Sequence, residues 1–164
     1  INATYTTSRF IFDWSHGLGL EIGSDFQTYS QKDLNAQIEL LWTTGPGIGY
    51  RLTDNLDARV DFKIHDVKVD LLEGQQRLDY YEYTVGPGAF YRLYFGEKTG
   101  FGLETSIRYW FDFGTDLDNI TNDEFVFLAE DGTSQAFNPS VSSGLGFNIA
   151  IIYTFNKNGK NRMN

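Results

Sequence analysis

The chain has 164 residues, 13 Lys and Arg against 22 Asp and Glu, and no Cys. That length suits one domain with a sizeable core; the missing Cys excludes disulfides, thiolate zinc sites and thiol catalysis. The net charge of −9 argues against binding nucleic acid through its phosphates, and no run approaches the roughly 18 apolar residues of a membrane helix.

Residue 1 is Ile, and no basic, apolar and small-residue leader precedes the first patterned segment, so a processed mature form or a fragment is expected. The dominant signal from there on is alternation with period two, the mark of strands with one apolar face. A first strand is expected over 4–14, with Phe10, Phe12 and Trp14 on one face and a turn at Ser15-His16-Gly17. In 18–28, Leu18, Leu20, Ile22 and Phe26 oppose Gly19, Glu21, Gly23, Asp25 and Gln27. A single long strand over 8–28 is the alternative. In 36–52, Ile38, Leu40, Trp42, Ile48, Tyr50 and Leu52 oppose Gln37, Glu39, Thr43, Gly45, Gly47, Gly49 and Arg51. After the tight turn Thr53-Asp54-Asn55, Leu56, Ala58, Val60, Phe62 and Ile64 oppose Asp57, Arg59, Asp61, Lys63 and His65.

A polar loop is expected over 72–79. In 80–95, Tyr81, Tyr83, Val85, Ala89, Tyr91, Leu93 and Phe95 oppose Glu82, Thr84, Gly86, Gly88 and Arg92. A turn at 96–100 leads to 101–113, where Phe101, Leu103, Ile107, Tyr109, Phe111 and Phe113 oppose Gly102, Glu104, Ser106, Arg108, Trp110 and Asp112. The long polar stretch 115–139 holds a hairpin candidate around Asp131-Gly132. The last strand carries Leu145, Phe147, Ile149, Ile151, Tyr153 and Phe155 on one face. No stretch has a helical period. The fold class is all-β and antiparallel, with short turns at one end and longer loops at the other, the layout of a transmembrane barrel.

In a soluble barrel the apolar face points inward; in a membrane barrel it meets lipid and the polar face lines the lumen. Three features favour the second arrangement. The apolar faces carry aromatics at strand ends, as interfacial girdles do: Trp42, Tyr50, Tyr81, Tyr83, Tyr91, Phe95, Tyr109, Phe111, Phe113, Tyr153 and Phe155. The polar faces mix Gly with single charges of both signs, which lets a narrow lumen hold large side chains. Several strands also exceed the 5–6 residues usual in soluble sheets.

On these residues the sequence resembles the small outer-membrane β-barrel proteins of Gram-negative bacteria, of the OmpA-transmembrane-like class. Gly45 to Val60 looks like their strand–periplasmic turn–strand unit, and Gly144 to Phe155 like their closing strand. The chain departs from the pattern in carrying residues 156–164 beyond that final aromatic; these are expected to be a polar periplasmic tail after a barrel over 1–155. The resemblance implies an outer-membrane location, contact with membrane lipids and lipopolysaccharide, assembly by the barrel-assembly machinery, and encounters with other envelope proteins. The strands found count to seven, whereas bacterial single-chain barrels have even numbers, so eight strands are expected.

The inward charges would be Glu21, Asp25, Glu39, Arg51, Asp57, Arg59, Asp61, Lys63, Glu82, Arg92, Glu104, Arg108 and Asp112. Unpaired charges are costly in a low-dielectric lumen, so a linked network is expected. Nucleophile–base sets are scarce. The only histidines are His16 and His65, and Ser15 and His16 fall on opposite faces of a strand. Asp116, Asp118, Asp123 and Glu124 form an oxygen-rich run that lacks the spacing of a calcium loop, so a solvated loop is expected, without metal or cofactor. These features favour a non-enzymatic outer-membrane barrel acting as a structural, adaptor or accessory subunit, its lumen filled by charge. The alternatives are a narrow channel for ions or small solutes, a lipid-modifying enzyme, and a soluble ligand-binding barrel.

Overall fold

Strand-forming aromatic and β-branched residues in strict alternation give a chain that is almost all extended. The computed structural model describes residues 1–18, 21–22, 34–95, 100–118, 120–121 and 123–155. Its strands are β1 (Asn2–Thr6), β2 (Phe10–Leu18), β3 (Glu21–Ile22), β4 (Gln37–Arg51), β5 (Leu56–Leu71), β6 (Gln76–Tyr94), β7 (Phe101–Thr115), β8 (Ile120–Thr121), β9 (Glu124–Leu128), β10 (Ser134–Phe137) and β11 (Gly144–Tyr153). The main sheet runs β1-β2-β4-β5-β6-β7-β11, with β3 continuing the lane of β2 alongside β4. Every neighbour is antiparallel, and the sheet curls into a half-barrel. A second sheet, β10-β9-β8, stands apart from it.

Two turns differ from expectation. Ser15-His16-Gly17 does not turn; β2 runs straight through it. The chain reverses instead at residues 7–9, where Thr7 closes the bend: its amide and hydroxyl donate to the Phe10 carbonyl at 2.9 and 3.2 Å, and the Phe10 amide lies 3.0 Å from its hydroxyl oxygen. A threonine that bonds its local backbone offers a turn without glycine or proline. The loop expected over 72–79 shrinks to a 3-10 turn at Leu72–Gly74, because β5 and β6 both continue past the expected strand ends.

The reason is an inversion of polarity along the strands. The concave face of β5 carries Asp57, Arg59, Asp61, Lys63 and His65, then Val67, Val69 and Leu71, all buried. Its convex face carries Leu56, Ala58, Val60, Phe62 and Ile64, then Asp66, Lys68 and Asp70. On β6 the concave Arg92, Thr84 and Glu82 give way to Tyr80 and Leu78, while the convex Leu93, Tyr91, Tyr83 and Tyr81 give way to Asp79 and Arg77. Towards the tight turns the sheet exposes apolar groups and buries polar ones. Towards the loops it does the reverse.

β4 crosses the same level with an irregularity. Its register against β5 shifts between Leu40 and Trp42, so one extra residue, Leu41, changes the phase of what precedes it. Ile38 is therefore buried on the concave side. Contrary to expectation, Glu39 does not join the charges of the concave face: its side chain is 53% exposed and faces Lys68 at 3.9 Å on the convex side.

Above the inversion the concave face is an ordinary hydrophobic core. Leu34, Ala36, Ile38, Val67, Val69, Leu71, Leu78 and Tyr80 pack with Phe125 and Phe137 of the β9–β10 hairpin. The hairpin sits where one was expected, yet it adds no lane to the main sheet; it caps the loop end. Its turn is tied by Asp131, whose carboxylate accepts from the Thr133 amide at 2.9 Å and hydroxyl at 2.6 Å. Those two hydrogen bonds hold the exposed Asp131 carboxyl below its ordinary range.

Candidate functional site

The candidate site is the charged concave face below the cap. Its construction depends on which residues stand side by side across strands. One row reads Ile11, Gly49, Arg59, Gly88, Arg108, Gly146 from β2 to β11. The next reads Asp13, Gly47, Asp61, Gly86, and Trp110 stands opposite Gly144. Glycines lie on β4, β6 and β11; large side chains lie on β2, β5 and β7. Each large group covers its neighbour's glycine. A Cβ on Gly86 would fall 2.3 Å from the Trp110 ring, and one on Gly88 would fall 2.7 Å from Arg108 Cγ.

Nearest the tight turns, four charges close a ring. Arg59 Nη2 lies 3.1 Å from Asp57 Oδ2 and 2.8 Å from Glu104 Oε2. Arg92 Nε donates to Glu104 Oε2 at 2.9 Å, and its Nη2 bonds Asp57. Arg51 stands at the margin, 3.9 Å from Asp57. Opposite charges thus neutralise one another where water is scarce, the condition for burying ions at tolerable cost. Phe90 lies between the guanidiniums of Arg59 and Arg108, 4.0 and 4.5 Å from its ring centre, which suits cation–π attraction.

The next level holds Asp13, Asp61, Lys63 and Arg108. Arg108 Nε approaches Asp61 Oδ2 at 3.0 Å, and Lys63 Nζ donates to the Gly45 carbonyl at 2.8 Å. Among the described residues, Asp13 Oδ1 and Asp61 Oδ1 have no hydrogen-bond partner. Above them His65 Nε2 lies 2.8 Å from the Thr84 hydroxyl and its ring meets Trp110 edge-on. Both His65 and Thr84 are buried. At the top, both oxygens of Glu82 accept the Ser142 amide at 3.0 Å, and the Tyr80 hydroxyl donates to the Pro139 carbonyl at 2.8 Å. Burial, then the carboxylates of Glu82 and Asp112, push the Tyr80 phenol above its ordinary range. It therefore remains a donor.

The structure brings Arg51, Asp57, Arg59, Arg92 and Glu104 into one cluster and Asp61, Lys63 and Arg108 into the next, with Glu82 and the half-buried Asp112 at the cap. Glu39 is excluded by the Leu41 bulge. Glu21 stands opposite Glu39 in register; its side chain, and Asp25 altogether, lie outside the described residues. Asp13 and Phe90 belong to the face although they were not among the expected lumen residues. Their parity with their neighbours was the available signal: Asp13 alternates between Phe12 and Trp14, and Phe90 between Ala89 and Tyr91. Asp116 is engaged by the sheet, its Oδ1 accepting the Tyr81 amide at 2.6 Å, and among the described residues no three carboxylate or imidazole groups gather as a metal site.

The expected girdle aromatics lie on the convex side. Trp42 meets Tyr81 at 5.8 Å and Tyr83 meets Phe113 at 6.1 Å, with Tyr109 and Phe111 4.7 Å apart. Towards the turns, Tyr50 meets Phe10, Tyr153 meets both Phe101 and Phe155, and Tyr91 and Phe95 are exposed. No family model matches the chain, and neither does any curated protein or solved structure.

Proposed function

We propose that this protein is a non-enzymatic outer-membrane β-barrel, a structural or adaptor subunit whose lumen is filled by its own charges. The observation that carries the reading is the convex band. Ile48, Phe62, Ile64, Leu93, Ile107, Phe147, Ile149 and Ile151 are all exposed, and charged residues replace such groups only above Trp42 and Tyr81. From Tyr81 to Tyr91 is ten residues of β6, or about 33 Å at ~3.3 Å each. Tilted by about 40°, that is about 25 Å, the height of the lipid-facing band of such barrels. A soluble protein gains nothing from exposing a continuous apolar belt while burying Asp57, Arg59 and Glu104.

Two features support closure by one further strand. β1 and β11 point the same way, so an antiparallel ring needs an odd number of strands between them. The alternation of small and large rows gives the same count. β11 presents Gly144, Gly146 and Ala150 inward, and β1 places Thr4 opposite Asp13; a strand with large inward side chains fits between them. That makes the expected number eight. The self-paired ring of Asp57, Arg59, Arg92 and Glu104, with the cap above, supports a filled lumen over an open one; eight strands leave room only for side chains.

The test is to express the chain behind a signal peptide, isolate outer membranes, and compare boiled with unboiled samples on SDS gels. A faster unboiled band in the membrane fraction, and no discrete conductance in planar bilayers, are expected. Soluble protein without a heat shift would sink the membrane reading. Steady single-channel openings that change when Arg108 is neutralised would instead establish the narrow channel.

A further inference from the structure

We propose that the β9–β10 hairpin is a hinged lid on the loop end of the concave face, and that Glu82 is its latch. Four observations converge. First, the hairpin is held to the main sheet by side chains. Phe125 and Phe137 enter the apolar seat formed by Ile38, Val67, Val69 and Leu78, and among the described residues no ladder joins β9 or β10 to the main sheet.

Second, its return leg is fastened at two polar points, the Tyr80 hydroxyl on the Pro139 carbonyl and the Glu82 carboxylate on the Ser142 amide. Glu82 is fully buried, an expensive place for a carboxylate unless it is hydrogen-bonded. It faces His65 of β5 and Thr115 of β7 across the ladders, and its donors come from the return leg: the Ser142 amide at 3.0 Å and the Val141 amide beside it.

Third, a glycine with positive φ stands at or near each end of the segment: Gly114, the last residue but one of β7, at φ 147°, and Gly144, opening β11, at φ 119°. Beyond its chain neighbours, neither has an atom of the described residues within 4 Å of where a Cβ would stand. On the β7 side the chain stays fastened to β6 past Gly114, through Thr115 and Asp116, so the lid turns after Asp116 on that side and at Gly144 on the other, loop and element-terminal positions of the kind that hinges use. Fourth, the latch lies at the polarity inversion. Lifting the hairpin uncovers the apolar seat and the mouth of the charged face together.

The lid does not depend on the convex band meeting lipid, so its test is separate from that of the membrane reading. The cysteine-free chain allows one reporter thiol, Val69→Cys, in the middle of the seat, where Val69 is fully buried. Its labelling by a charged maleimide reads lid opening in the folded protein. Glu82→Gln keeps the shape of the latch but loses its charge and one of the two oxygens that accept the Ser142 amide; labelling at least tenfold faster is expected. Tyr80→Phe should act in the same direction. Rates within twofold of the parent in both variants would overturn the proposal. Should Glu82→Gln fail to assemble, hydrogen exchange on the unsubstituted chain decides. Amides of β9 and β10 exchanging together, at least tenfold faster than those of β5 and β6 around the seat, would support a lid; equal protection would overturn it.

Discussion

Replacing Asp57 by alanine is expected to lower stability by about 3–5 kcal/mol, the usual cost of breaking a buried ion pair from one side. Asp57 serves more cations than any other acid on the concave face: Arg59 at 3.1 Å, Arg92 through its Nη2, and Arg51 at 3.9 Å. Without it, Glu104 alone answers the guanidiniums of Arg59 and Arg92. The side chain of Arg59 is wholly buried, and its other flank is the ring of Phe90, so it has no short path to water. The expected signature is additive failure: Asp57→Ala combined with Arg92→Met should be less damaging than Asp57→Ala alone, because the second change removes one of the stranded charges. Guanidine unfolding in a lipid or detergent environment, followed by far-ultraviolet circular dichroism, measures both. A loss below about 1 kcal/mol would mean that the guanidiniums find water, and the narrow-channel reading would gain.

The alternation that made the fold legible is also what hid its upper half. On β5 the phase never slips: odd positions face the concave side from Asp57 to Leu71. What changes is their chemistry, from charged to aliphatic between His65 and Val67. A pattern that identifies a strand by one apolar face breaks there, so the strand reads as ending at His65, and Arg77 and Asp79 read as loop. Glu39 was misplaced for a related reason, since a single extra residue at Leu41 is invisible without the register of the partner strand. The turn at 7–9 was missed because a threonine side chain shapes it, while the more turn-like Ser15-His16-Gly17 is held extended by β4. The concave-face charges of β5 and β7 needed only parity. Their pairing needed the cross-strand rows, in which a glycine on one strand makes room for an arginine on the next, and no strand read alone contains that information.

Those rows give the second large expectation: Gly45→Ala should cost about 3–4 kcal/mol, combining backbone strain with overpacking. The added Cβ would stand 2.0 Å from the carbonyl oxygen of Phe62, 3.0 Å from its carbon and 3.1 Å from Lys63 Cα. These are backbone atoms of β5, so relief requires parting β4 from β5 rather than swinging a side chain aside. Gly45 also sits at φ 155°, on the edge of the region that L-residues avoid, and its carbonyl accepts Lys63 Nζ at 2.8 Å. A shift of this backbone therefore loosens a buried cation as well. Gly17→Ala is the control. There the nearest atom to a new Cβ is a methyl of Thr43 at 3.5 Å, ordinary contact, and losing a glycine from the unfolded chain should raise stability by up to about 1 kcal/mol. Opposite signs for the two substitutions in one unfolding assay are the expected result. Equal, mild effects would mean that β4 and β5 are not packed closely enough for the glycine rows to matter, and the filled-lumen reading would lose its structural basis.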